Sequence, residues 1–153
     1  MKKYKLTKET INVNGITLYR IKALTNFGDV KRGDLGGYIE HEQNLSHDNN
    51  AWVCGNAKVC GNAWVCGDAW VCGDAWVCGN ADYTTIKGFG SVYRTSTFFR
   101  CSDKLVRVRC GCFYGTIDEF RAKVKETHGD SKFAKEYLMI ADLMEMHFRK
   151  DDE

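Results

Sequence analysis

Long apolar runs are missing from this sequence. No stretch approaches the roughly 18 apolar residues that a membrane-spanning helix needs, and the opening MKKYKLTKET has no apolar segment behind its lysines. Both features argue against membrane insertion and secretion and predict a cytoplasmic protein. Charge imbalance is missing as well. With 22 Lys and Arg against 20 Asp and Glu, the net charge is +2, too small for a general affinity for polyanions. Histidine is scarce, with four in the chain, which leaves few side chains suited to general-base work near neutral pH. Proline is absent, and nothing else in the sequence accounts for that. At 153 residues, one domain, or one repeat body with small end modules, is the expected organisation.

What the sequence does have is a repeat of six. Units beginning at Ala51, Ala57, Ala63, Ala69 and Ala75 run small, bulky, aliphatic, Cys, Gly, then Asn or Asp, and a degenerate unit starts at Ala81. Six is neither a helical period nor a simple strand period, so it is read as an architecture. In extended chain Ala and Val point to one face, and Trp and Cys to the other. Gly followed by Asn or Asp supplies a corner. Short strands joined by corners make a coil, and three units per turn make rungs of about 18 residues filled with Val and Ala, stacked about 4.8 Å apart. The fold class this predicts is mainly β, a hexapeptide-repeat β-solenoid of about three rungs over residues 39–90. Ile39 and Leu45 extend the inward phase upstream, but His47 falls on an inward position, so the first rung is expected to be irregular.

Each end of such a body needs a cover. Residues 1–38 provide an N-terminal β-hairpin, signalled by Asn14-Gly15 between alternating apolar residues, and a Gly- and Asp-rich loop. Residues 91–153 read as a ββαα module. Its strands are Val92–Arg100 and Leu105–Phe113; a capping box at Thr116-Ile-Asp-Glu119 opens one helix, and a second runs from about Ser131 to Arg149.

The 18-residue rung lays Trp52 under Trp70 and Cys54 under Cys72, lines up Glu40, Lys58 and Trp76 on a second face, and Ser46, Trp64 and Asp82 on a third. Trp52, Cys54, Trp64, Trp70, Cys72 and Trp76 are therefore the candidate oligomer or partner interface. Stacked indoles form an apolar patch of about 300–500 Å² and suit cyclic association; alternatively they pack against the end modules. Five of the eight cysteines belong to the repeat. Stacked thiols lie close enough to bond, but a cytoplasmic setting predicts free thiols.

Arg94, Arg100, Lys104, Arg107 and Arg109 crowd the C-terminal strands against the single acid Asp103, interleaved with Tyr93, Phe98 and Phe99. Guanidinium groups among aromatics suit a phosphate group, a nucleotide or a nucleic acid; the plainer reading is a solvated sheet face. Cys110-Gly-Cys112 with Cys101 or His128 is the only sketch of a metal set, and it lacks zinc-hairpin spacing. No metal, cofactor or catalytic residue is expected. Gly33-Asp-Leu-Gly36-Gly37 lacks the strand and helix of a phosphate-binding loop.

The stretch LTNFGDVKRGDLGGYIE followed by AWVCGNA repeats resembles a family of hexapeptide-repeat proteins of phages, prophages and enteric bacteria, and RTSTFFRCSDKLVRVRCGCFYGTIDEFRAKVKETHGD resembles a tail found on phage-encoded members. Some members are labelled acetyltransferase without an established reaction. The resemblance implies a left-handed coil, a bacterial host and a non-enzymatic phage accessory protein. It would be a homo-oligomer that engages a host defence protein, a nucleic acid or a nucleotide signal. An acyltransferase reading would rest on His41 or His47.

Overall fold

A computed structural model describes residues 2–149. β1 (Tyr4–Val13) and β2 (Ile16–Ala23) form an antiparallel hairpin. Its turn residues Asn14 and Gly15 have φ of 53° and 84°, the left-handed pair that an Asn-Gly turn adopts most readily. β2 pairs antiparallel with β3 (Leu35–Ile39). Beyond it the pairing becomes parallel. The repeat contributes four two-residue strands, β4 (Trp52–Val53), β5 (Lys58–Val59), β6 (Trp70–Val71) and β7 (Trp76–Val77). β3, β5 and β7 lie side by side, as do β4 and β6.

Val53, Val59, Val65, Val71 and Val77 are all fully buried, with Ala51, Ala57, Ala69 and Ala75 beside them. The glycines at the corners, Gly55, Gly61, Gly67 and Gly73, have φ of 63–65°, which a side chain would strain. Trp52 stands directly beside Trp70 and Lys58 beside Trp76. The offset between β3 and β5 is two residues longer, because Tyr38, not Glu40, faces Lys58. The two extra residues lie between Leu45 and Trp52, where the offset returns to the 18 residues that separate Trp52 from Trp70. The same shift bonds Leu45 to Val65 and moves Ser46 out of the column expected under Trp64. His47 leaves the interior, stacks on Tyr4 at 4.1 Å and accepts the Lys3 N–H at 3.1 Å.

The β-solenoid expected from the repeat is not the architecture. The strands form three open sheets, none of them closed: five strands in the order β1-β2-β3-β5-β7, the pair β4-β6, and four strands built from the C-terminal half. That third sheet is antiparallel throughout. It comprises β8 (Tyr83–Phe89), β9 (Arg94–Arg100), β10 (Val106–Cys110) and β11 (Phe113–Thr116), in the order β11-β10-β9-β8. β8 falls in the stretch assigned by sequence to the repeat body, so the C-terminal part is a four-stranded sheet with two helices instead of ββαα. The reason is local: the six-residue pattern decays after Asn80, and Tyr83 to Phe89 alternates well enough to pair with β9.

Thr116 caps α1 (Ile117–His128): its Oγ1 accepts the Glu119 N–H at 3.2 Å, while Glu119 Oε1 accepts the Thr116 N–H at 2.8 Å. Ser131 caps α2 (Lys132–Phe148). The four-stranded sheet lies between repeat and helices, and β9 shows how. Alternation sends Phe99 into the core shared with the repeat valines, and Phe98 into the one formed with Phe120, Tyr137 and Ile140. The hairpin covers one edge of the repeat; at the other edge Ala75 bridges to Cys101 and Asp74 accepts the Ser102 N–H at 2.9 Å.

Free thiols along the repeat are a further expectation the structure corrects. Cys54 is bonded to Cys72 and Cys60 to Cys78, each pair 18 residues apart; the parallel stacking brings their Cα atoms to 4.7 and 4.5 Å, within the range a disulfide spans. Cys66, Cys101, Cys110 and Cys112 are unbonded. No helix among the described residues is long and apolar enough to cross a membrane.

Candidate ligand site

The six residues singled out as an interface do not share one surface. Trp52 is only 2% exposed, covered by Phe27 at 5.2 Å and Tyr4 at 6.5 Å between ring centres. It does point away from Val53, as alternation requires, but the hairpin and the loop after it close over that side. Cys54 and Cys72 are consumed in their disulfide. Trp70 gives its indole N–H to the Asn50 carbonyl at 3.1 Å and lies under the Arg109 guanidinium, 4.8 Å from the ring centre. Trp76 is half-buried, and Trp64 alone is largely open, at 54%.

The five basic residues are divided too. The register pairs Val106 with Arg100 and Arg107 with Phe99, which turns Arg107 and Arg109 toward the repeat while Arg100 reaches α2. Arg107 is occupied, because Nη1 and Nη2 grip the Asp103 carboxylate at 3.0 and 2.9 Å. That contact holds the Asp103 carboxyl below its ordinary range. Arg109 is spent on Trp70, the Gly111 carbonyl at 3.0 Å and the Cys72 sulfur at 3.4 Å. Arg94 bends over the same turn, against Gly111. A single basic face on the C-terminal strands is therefore not present.

What the fold does assemble is a cavity of about 690 Å³ between the repeat edge, the β9–β10 turn and the end of α2. Trp76, Arg100, Lys104, Asn14, Ser102 and Phe148 line it. It brings one of the expected interface tryptophans together with two of the expected cations. Arg100 is held by three contacts: Nε to Asp82 Oδ1 at 3.1 Å, Nη2 to the Phe148 carbonyl at 2.9 Å, and its guanidinium 5.3 Å from the Phe148 ring centre. Lys104 sits in the turn with φ of 72°, exposed and in no ion pair among the described residues. The volume falls in the range of small-ligand sites, roughly 300–1,000 Å³. An aromatic wall, a guanidinium paired with the Asp82 carboxylate that also lines the cavity, an exposed ammonium and two neutral polar groups can take an anionic group attached to a planar or apolar body.

Asn14, Ser102 and Phe148 were not singled out in the sequence as site residues, and Asp82 was placed only in the outward column with Ser46 and Trp64. They come from a hairpin turn, a strand end, a 3-10 turn and a helix end, and no spacing links them. Only the Asn14-Gly15 turn had a signal, and its destination depends on how the hairpin docks. Of the histidines weighed for acyl transfer, His47 is locked between Tyr4, Lys3 and Glu42, its Nε2 2.9 Å from the Glu42 carboxylate. His41 lies at a second cavity, its Nε2 3.5 Å from Glu40. Cys110, Cys112 and His128 line one small cavity, but Cys101 is buried in the other core. No three His, Cys, Asp or Glu side chains among the described residues form a group that could hold a metal ion. Compared with models of known families and with curated proteins, the chain matches no family model and no curated protein.

Proposed function

We propose that this protein is a non-enzymatic binding module for a small phosphate-bearing ligand of nucleotide type, held in the cavity at Trp76, Arg100 and Lys104. One observation carries the reading. Residues from two unrelated sequence patterns, the tryptophan row of the repeat and the basic C-terminal turn, line the same cavity. Trp76 offers a stacking surface for a base, and Lys104 offers charge for phosphate oxygens, with Arg100 beside it keeping one guanidinium edge on Asp82. Arg107 and Arg109 are engaged elsewhere and contribute little directly. In the phage setting that the sequence resemblance implies, the ligand would be a nucleotide signal of the host, sequestered without turnover.

Titration calorimetry with ATP, GTP and a cyclic dinucleotide tests this. At least one should bind, with Lys104→Ala and Trp76→Ala each weakening it by roughly tenfold or more, and with affinity falling as salt rises. Arg107→Ala should change affinity by less than about threefold, and the mass in solution should be the same for all variants. Absence of binding by all three nucleotides, or an Arg107→Ala effect as large as that of Lys104→Ala, would refute the proposal.

A further inference from the structure

A second cavity, about 680 Å³, opens on another part of the repeat, beside Trp64. Its chemistry differs from the first. No lysine or arginine lines it; its exposed side chains are His41, Gln43, Asn62 and the Trp64 indole. The lining is also fixed in place. Asn44 is 1% exposed, and its side chain accepts the His41 N–H at 2.8 Å while donating to the Gly61 and Ala63 carbonyls at 3.1 and 2.8 Å. One buried amide therefore ties the Glu42–Asn44 turn to the facing corner of the repeat. Glu40 Oε1 accepts the Gly61 N–H at 2.8 Å. The backbone of Trp64 is anchored on both sides, its N–H given to Asn80 Oδ1 at 2.9 Å and its carbonyl accepting from the Tyr83 hydroxyl.

A rigid backbone that leaves one indole open to solvent is unusual in this chain, since Trp52 is sealed and Trp70 is covered by Arg109. The ligand that fits must have an apolar face for the indole and a rim of uncharged hydrogen-bonding groups. Asn and Gln amides present a donor and an acceptor side by side, which matches adjacent hydroxyls, each itself donor and acceptor. A phosphate would find no lysine or arginine here.

We infer that this cavity is a saccharide-binding site, in which the C–H face of a sugar ring lies on Trp64 and its hydroxyls bond Gln43, Asn62 and His41. The site is independent of the one at Trp76.

The experiment records the indole N–H resonance of Trp64, identified by its loss in Trp64→Phe, while chitotriose, maltotriose and cellotriose are added in turn to the intact chain. At least one should shift that resonance saturably, with a dissociation constant on the order of 1 mM or tighter. Gln43→Ala with Asn62→Ala should weaken the same titration by roughly tenfold, and Trp76→Ala should leave it unchanged. Adenosine serves as a flat aromatic control. The inference is overturned if none of the three sugars shifts Trp64 at about 10 mM, or if adenosine shifts it at lower concentration than any sugar.

Discussion

Trp52→Ala should lower the unfolding free energy by about 3–5 kcal/mol, the range for emptying a buried aromatic site. Trp52 is the tryptophan on which the N-terminal segment closes. Phe27 meets its ring edge-on, Tyr4 lies on another side, and Gly36 passes beneath it. Its loss opens a cavity between repeat and hairpin that neither can fill, since Tyr4 is itself pinned, its hydroxyl bonded to the Glu42 carbonyl at 2.7 Å and the Leu45 carbonyl at 2.5 Å. Lys3 adds to that rigidity, its ammonium reaching the Ala51 carbonyl at 2.6 Å and Phe27 at 4.6 Å. In a chain of this length the loss corresponds to a fall in melting temperature of roughly 10 °C or more. Trp64→Ala, by contrast, should cost less than about 1 kcal/mol, because its indole is largely open. Thermal denaturation of the two variants side by side separates a tryptophan that seals a core from one that faces water. Equal losses would show that Trp52 is not covered.

Gly36→Ala combined with Gly37→Ala should be of similar severity. A methyl at Gly36 would lie 2.6 Å from both the Val53 carbonyl and Ile21, and one at Gly37 would lie 2.6 Å from the Ala57 carbonyl. Two of these obstacles are backbone atoms of the repeat, which cannot turn aside as a side-chain end could. Overpacking of this kind costs about 1–3 kcal/mol per site. The pair is therefore a requirement of close approach, where β3 lies against the repeat, and it explains a Gly-rich segment that has no phosphate-loop context. Gly79→Ala is the natural control for contact, since nothing lies within 4 Å of its added methyl and its backbone is extended, with φ of -159°. Guanidinium unfolding of the double variant, showing a lower midpoint with unchanged slope, is the expected result.

The contrast between these residues shows how far the sequence carries. The corners, the inward valines and the pairing of Trp52 with Trp70 follow from a six-residue unit whose information is local, and the turn at Asn14 and the cap at Thr116 follow from short-range chemistry. What could not be read was set by docking. Nothing near Trp52 announces that Phe27 will cover it. The repeat pattern also invited extension over the whole body, as a solenoid; yet Tyr83 to Phe89 joins an antiparallel sheet because β9 offers it a better partner than the decayed repeat does. The basic strands illustrate the same limit. Side-chain parity within each strand was legible, but the pairing of Arg107 with Phe99 is a cross-strand register, and that register decides that Arg100 and Arg107 face opposite ways. Lys104 and Arg100 were marked by composition, whereas Asn14 and Phe148 reach the same cavity only through tertiary packing.

Parallel stacking of repeat units 18 residues apart sets Trp52 beside Trp70 and Lys58 beside Trp76, and so fixes the place of Trp76 at its cavity. Peptide mapping by mass spectrometry of the mildly oxidised, unreduced protein tests it most directly. The account predicts cross-links Cys54–Cys72 and Cys60–Cys78, with Cys66 unpaired. Links between neighbouring units, such as Cys54 with Cys60, or a Cys66 bond to another repeat cysteine, would contradict it.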